Sequence, residues 1–165
     1  MRFSILATAG LSMFLGKSMA FNLTLEFMHE LLDPAATGNT TLFGQTLDPA
    51  VRWWIANDVK SDVTLTGIRN ASEWNTEVNT PLIEKLTSPP NTTVEYMYVI
   101  PERNIAIMEA TGHAIRKLNG QPYSNRFCWH FFFSFESGKI VEIHEYLDTN
   151  MVRELMTEAN AVKHY

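Results

Sequence analysis

The chain has 165 residues, with 13 Lys and Arg against 18 Asp and Glu, a net charge of −5 and an apolar fraction of 45%. That is enough for one domain around one core. The basic residues are scattered, with no basic stripe and no phosphate-cradling glycine loop, which argues against a nucleic-acid partner, and the single cysteine, Cys128, rules out an intrachain disulfide.

Arg2, the apolar run Phe3–Gly16 and the small residues Ser18 and Ala20 have the layout of a secretory signal peptide over residues 1–20. The alternative is an N-terminal helix packed on the domain. The run is too short to span a membrane, so no membrane partner is expected, and residues 21–165 form a single domain. Asn22, Asn39, Asn70 and Asn91 each open an Asn-X-Ser/Thr acceptor pattern without proline. Together these features predict a glycosylated protein that is secreted or held in the secretory-pathway lumen, the alternative location being the cytoplasm.

Phe21, Leu25, Met28 and Leu32 recur at helical spacing and predict a helix over Phe21–Leu32, ended by Asp33-Pro34. A short helix is expected over Asn39–Leu47 and a strand over Val51–Ile55, followed by an Asn57-Asp58 turn. Asn70-Ala-Ser-Glu73 has capping-box spacing. The helix it opens carries Trp74, Val78, Leu82 and Leu86, bends at Pro81 and ends at Ser88–Asn91. Strands follow at Thr93–Ile100 and Asn104–Lys117 around a Pro101–Asn104 turn. A long hairpin then turns at Glu136–Lys139, where Gly138 can take positive φ, and a helix over Asn150–Val162 closes the chain. This order of elements is an α+β arrangement.

Within the hairpin, Phe127, Trp129, Phe131, Phe133 and Phe135 alternate on one face of the first strand, with Tyr123 and Asn125 at the same parity. Val141, Ile143 and Leu147 alternate on the second strand, and Glu145 falls among them. A carboxylate on an apolar face must be paired, protonated or used, because an isolated buried charge is costly. Its structural alternatives are pairing with Arg116 or Arg126, or accepting backbone N–H bonds. Cys128 reads as an inert thiol in mid-strand, since a nucleophilic cysteine needs a base and an electropositive setting.

The run Tyr123-x-Asn125-Arg126-Phe127, the aromatic alternation after it, Gly138-Lys139-Ile140 and Ile143-x-Glu145-Tyr146-Leu147-Asp148-Thr149 resemble the SnoaL-like branch of the nuclear-transport-factor-like superfamily. That superfamily includes polyketide cyclases, relatives of ketosteroid isomerase and of limonene-epoxide hydrolase, and small dehydratases. The likeness is good over Tyr123–Thr149, looser from about Phe21 onward and absent over the first twenty residues. It implies a cone in which a curved, mostly antiparallel sheet wraps N-terminal helices around one apolar pocket. In the epoxide-hydrolase relatives the first acidic residue of an Asp-Tyr-Phe-Asp run is catalytic, and Glu145 occupies that place. Their neighbouring strand carries an Arg-x-Asp pair that Met108–His113 lacks, which argues against epoxide hydrolysis.

The resemblance implies cofactor-independent acid–base chemistry, by isomerisation, cyclisation or dehydration, on a hydrophobic polyketide- or terpenoid-like molecule. Glu145 would carry the proton, with His113 and Glu109 as partners if the Glu109–Thr111–His113 face of its strand points inward with Ile105 and Ile107. Asn125 or Tyr123 would donate to a developing enolate, and Trp129, Phe131, Phe133 and Trp54 would wall the substrate. No His/Cys/Asp cluster has metal-ligand spacing, and no cofactor is expected. His130, His144 and Tyr146 have outward parity and would meet a second subunit, as in many relatives. The rival readings are a carrier of an apolar molecule without catalysis and a protein-interaction module.

Overall fold

In the computed structural model, which describes residues 21–158, Thr24 sets the start of the first helix, α1 (Leu25–Ala36), by accepting from the Phe27 N–H through its hydroxyl at 3.1 Å. The helix begins later than its periodicity predicts. Phe21 to Leu23 instead form an extended strap: Phe21 N–H donates to Phe135 O, and Leu23 N–H to the Asn104 side chain. Pro34 does not end α1 but sits inside its last turn, where it forgoes its own N–H bond and the helix stops two residues later at Ala36. Met28, Leu31 and Leu32 are its buried face, and fully burying each such side chain stabilises the fold by about 1.5–3 kcal/mol.

A short α2 (Thr41–Thr46) leads into β1 (Leu47–Ile55), whose Val51, Trp53 and Ile55 point inward while Arg52 points out. β2 (Gly67–Arg69) pairs with β1, a strand too short to stand out in the sequence. Asn70 and Glu73 form the expected capping box for α3 (Ala71–Trp74). The helix widens into a π turn at Asn75–Asn79, then continues as α4 (Thr80–Glu84). The widening lies just before Pro81, whose ring would press on the carbonyl four residues back in a regular helix.

β3 (Asn91–Ile100) and β4 (Ile105–Ile115) are joined by a 3₁₀ turn, Pro101–Arg103, with Asn104 in the left-handed region. β5 (Pro122–Phe133) and β6 (Ile140–Leu147) form the predicted hairpin, and Gly138 takes φ of 66°. A Cβ there would come within 2.7 Å of the Phe21 ring, so the turn also seats the strap. α5 (Thr149–Met156), capped by Asp148, closes the described chain. The helix expected over Asn150–Val162 ends earlier, at Met156; residues 159–162 of that expectation and the predicted signal peptide lie outside the described residues.

The six strands form one curved, open sheet in the order β2-β1-β6-β5-β4-β3, antiparallel except where β1 runs parallel to β6. Its concave face holds the core, built from α1, Trp53, Phe131, Phe133 and Ile143. No helix among the described residues is long and apolar enough to cross a membrane.

A candidate acid–base pocket

The hairpin register sets the pocket floor. Trp129 on β5 pairs directly with Glu145 on β6, and Glu145 pairs with Ile55 of β1 on the other side. Each of these side chains therefore enters the concave face. They line a cavity of about 550 Å³ between the sheet, α1–α2 and the α3–α4 helix. Phe43, Val78 and Phe127 supply much of the remaining apolar wall.

Glu145 is held by tryptophans rather than by arginine. The Trp53 indole N–H donates to Glu145 Oε2 at 2.9 Å, and the Trp74 N–H reaches the same oxygen at 3.4 Å. Trp53 and Trp74 stack at 4.1 Å and 9°, and Trp129 meets both edge-on. Oε1 has no hydrogen-bond partner among the described residues and opens to the cavity. Burial pushes the carboxyl well above the usual carboxylate range. Opposing that rise are the indole N–H groups and the Arg69 charge. The Trp129 N–H is aimed at the carboxyl too, but stops short of a hydrogen bond and is left without an acceptor. Neither arginine considered as a structural partner is present: Arg116 pairs with Glu158 at 2.6 Å and Arg126 with Glu109 at 2.8 Å.

Tyr123 and Asn125 line the same cavity. The Asn125 amide is fully used: its Nδ2 donates to Tyr123 Oη and to Asp148 O, and its oxygen accepts from Asp148 N–H. Asn125 thus ties β5 to the start of α5 and presents Tyr123. The Tyr123 hydroxyl accepts from Asn125 but finds no acceptor for its own proton among the described residues. Burial, with the Glu145 charge as a smaller contribution, raises its pKa and keeps it a donor.

Several expected positions are corrected. His113 and Glu109 lie on the outer face of β4; His113 is exposed, and Glu109 is engaged by Arg126. The inward residues are Ala106, Met108, Ala110 and Gly112. Side chains converge on the concave side of a curved sheet, so small ones are tolerated there and the isoleucines are turned outward. Gly112 shows the crowding, since a Cβ would sit 3.3 Å from Pro90 and 3.7 Å from Phe127.

Trp54 also faces outward, donating to Asp58 at 2.7 Å and packing on His144 and Tyr146. Its neighbour Trp53 takes the inward place, as the alternation with Arg52 could have indicated. Phe131 and Phe133 share the inward face but are packed core rather than cavity wall. Phe135 lies beyond β5 and is half-exposed. Val141 is turned outward by a bulge, since Phe132 pairs with Glu142 but Phe133 with Ile140.

Cys128 is on the outer face, where burial and the nearby Glu109 charge raise its thiol pKa and keep it unreactive. Among the described residues no group of three or more His, Cys, Asp or Glu is placed to hold a metal ion.

No protein-family model matches the sequence, and no curated protein matches it. Solved structures do. An NTF2-like (nuclear-transport-factor-2-like) protein of Burkholderia thailandensis superposes with a TM-score of 0.64 at 16% identity, covering 81% of this chain and 96% of that one. The chain has the NTF2-like fold. A candidate SnoaL-like polyketide cyclase of Jannaschia sp. matches at TM-score 0.59 and 16% identity, over 81% of this chain and 92% of its own. PrhC of Penicillium brasilianum matches at TM-score 0.55 and 16% identity, over 79% of this chain and 83% of its own. The expected α+β cone is therefore observed, and SnoaL-like proteins stand among its structural neighbours. At such identities the likeness concerns the fold, and function rests on the pocket itself.

Proposed function

We propose that the cavity binds a hydrophobic polyketide- or terpenoid-like molecule and that Glu145 moves a proton on it without a cofactor, in an isomerisation, cyclisation or dehydration. One observation carries this reading: a carboxyl anchored through Oε2 by indole N–H groups turns its second oxygen to an apolar cavity. Ionised Glu145 would take a proton from a carbon next to a carbonyl onto Oε1, while the Tyr123 O–H donates to that carbonyl oxygen as charge develops. The proton then returns at another carbon, conserving atoms in an isomerisation, or goes to a leaving hydroxyl, which departs as water in a dehydration. SnoaL-like neighbours support the reading by analogy of fold.

A second reading is favoured by the outward placement of His113 and Glu109, which leaves Glu145 as the only carboxyl among the described cavity residues. A binding or carrier protein needs no second acid. The two are separated by incubating neutral polyketide- and terpenoid-like ketones with the protein in D₂O and following deuterium incorporation next to the carbonyl by mass spectrometry. An enzyme exchanges deuterium, and Glu145→Gln stops the exchange while ligand still binds. If the wild type binds ligand but exchanges none, the protein is a carrier.

Two further proposals rest on the surface. The outer sheet face exposes Tyr96, Tyr98 and Tyr146 beside Trp54, Phe132 and His130, which suits a homodimer across this face. Asn22, Asn39, Asn70 and Asn91 are all exposed, which suits glycosylation of a secreted or lumenal protein. Native mass spectrometry of protein from a eukaryotic secretory host reads both: a monomer or an unglycosylated chain removes the corresponding proposal.

A further inference from the structure

The π turn at Asn75–Asn79 lies against the cavity, and nothing in the acid–base reading uses it. Thr80 N–H bonds to Asn75 O, five residues back. This extra residue in the turn shifts the helix face by one position, about 100° of rotation. On α3 the cavity-facing residues are Ala71 and Trp74; within the π turn they are Asn75, Val78 and Asn79, and beyond it Leu82 and Ile83. Asn75, which is exposed, and Asn79, which is half-buried, stand with Gly38 and Thr40 where the cavity meets solvent.

The two amides are joined to each other. Asn79 Nδ2 donates to Asn75 Oδ1 at 3.1 Å, which leaves the Asn75 NH₂ and the Asn79 carbonyl without partners among the described residues. Whichever way the two amides are turned, one donor and one acceptor remain side by side. No Lys, Arg or His is among the described residues lining the cavity. A ligand carrying a net negative charge would therefore find no counter-charge there, and burying an unpaired charge is costly.

We infer that the Asn75–Asn79 pair is a polar subsite at the cavity mouth, selecting uncharged ring-bearing ligands whose outer end carries a hydrogen-bond acceptor and donor side by side. Amides and lactams have that pattern. The apolar body lies against Trp129 and Phe127, and the polar end pairs with the two asparagines. This inference deepens the proposed function and rests on the same cavity being a ligand site.

The test uses three probes of one shape: 2-naphthamide with acceptor and donor, 2-acetylnaphthalene with the acceptor alone, and 2-ethylnaphthalene with neither. Binding is followed by quenching of tryptophan fluorescence and by calorimetry, in the wild type and in the Asn75→Leu/Asn79→Leu double variant. In the wild type 2-naphthamide binds tightest and 2-ethylnaphthalene weakest. In the variant 2-naphthamide weakens by roughly tenfold or more, the scale of a lost hydrogen bond, while 2-ethylnaphthalene is unchanged or tighter. An unchanged order in the variant overturns the subsite and leaves the cavity reading standing. If the wild type binds none of the three, 2-ethylnaphthalene included, both readings fall. Should the double variant lose every probe, Asn75→Ser/Asn79→Ser keeps the helix surface polar and is judged by the same ordering.

Discussion

Replacing Trp53 with phenylalanine isolates the contribution of the indole N–H to the Glu145 carboxyl. The substitution keeps an aromatic ring to stack on Trp74 but removes the 2.9 Å bond to Oε2. Trp53 is fully buried, so no water is placed to replace the donor. A hydrogen bond to a charged group contributes about 1.5–3 kcal/mol, and this one favours the ionised carboxylate. Its loss therefore raises the Glu145 pKa above its already raised wild-type position.

The same shift is legible in stability. Glu145 holds its proton more tightly folded than unfolded, so its contribution is fully present below the unfolded carboxyl value, near 4.5. It is lost as pH rises towards the folded value, and then levels off. In Trp53→Phe that loss continues to higher pH. At about pH 4 the variant differs from wild type by packing and by the weaker bond the indole makes to the neutral carboxyl; once pH passes the wild-type ionisation of Glu145, the gap widens by a further ~1 kcal/mol or more. Urea denaturation across that range gives the stabilities, and ¹³C NMR of labelled glutamate carboxyls follows Glu145 directly. Trp54→Phe, whose N–H serves Asp58 on the other face, leaves the titration unmoved. A Glu145 titration that stays put or falls in Trp53→Phe refutes the argument that the indole holds the carboxylate form.

Other outcomes follow from the same geometry. His113→Ala and Glu109→Ala leave the rate of substrate deuterium exchange within about twofold of wild type, because both side chains lie on the outer face; a large loss in either returns them to the mechanism. Asn70→Ala removes the side-chain half of the capping box, the Glu73 N–H bond to Asn70 Oδ1, while the backbone N–H of residue 70 can still donate to Glu73; in unglycosylated protein it lowers unfolding free energy by about 1 kcal/mol in urea titrations. Gly138→Ala forces a Cβ to 2.7 Å from the Phe21 ring at φ of 66°, costing about 1–3 kcal/mol by the same measurement. Asn125→Leu strips hydrogen bonds from Asp148 and Tyr123; it weakens deuterium exchange and also lowers stability, which separates its positioning role from that of Glu145.

The elements of this fold were legible where a local rule was strong. The Asn70–Glu73 cap, the Gly138 hairpin and the long β3–β6 strands all match their patterns. Boundaries failed where a tertiary contact overrode periodicity. Phe21 fits a helical stripe, yet its backbone N–H is taken by Phe135 and its ring by Gly138. The π turn is invisible to a 3.6-residue count, and Pro81 marked only that something must bend. β2 has three residues and no alternation to detect.

Glu145 was legible because a single acid on an apolar stripe has few innocent explanations. Its partners were not. Inward parity on β4 was inferred from the isoleucines, an inference that assumes only one face of the sheet is apolar. Here both are: Ile105 and Ile107 sit opposite Phe132 and His130 on the outer side, with Tyr98 across β3. When both faces carry large apolar groups, size rather than polarity marks the inward side of β4, because that side lies close under its neighbours: a Cβ on Gly112 would sit 3.3 Å from Pro90 and 3.7 Å from Phe127. The Ala106, Ala110 and Gly112 series carried that signal, and Arg52 carried the equivalent one for choosing Trp53 over Trp54. What no pattern carried is the convergence on one carboxyl of indoles from β1, α3 and β5, since it depends on the parallel β1–β6 pairing. That pairing brings Trp53 beside Glu145 across 92 residues of sequence, and it makes the pocket a property of the whole sheet rather than of the hairpin that first drew notice.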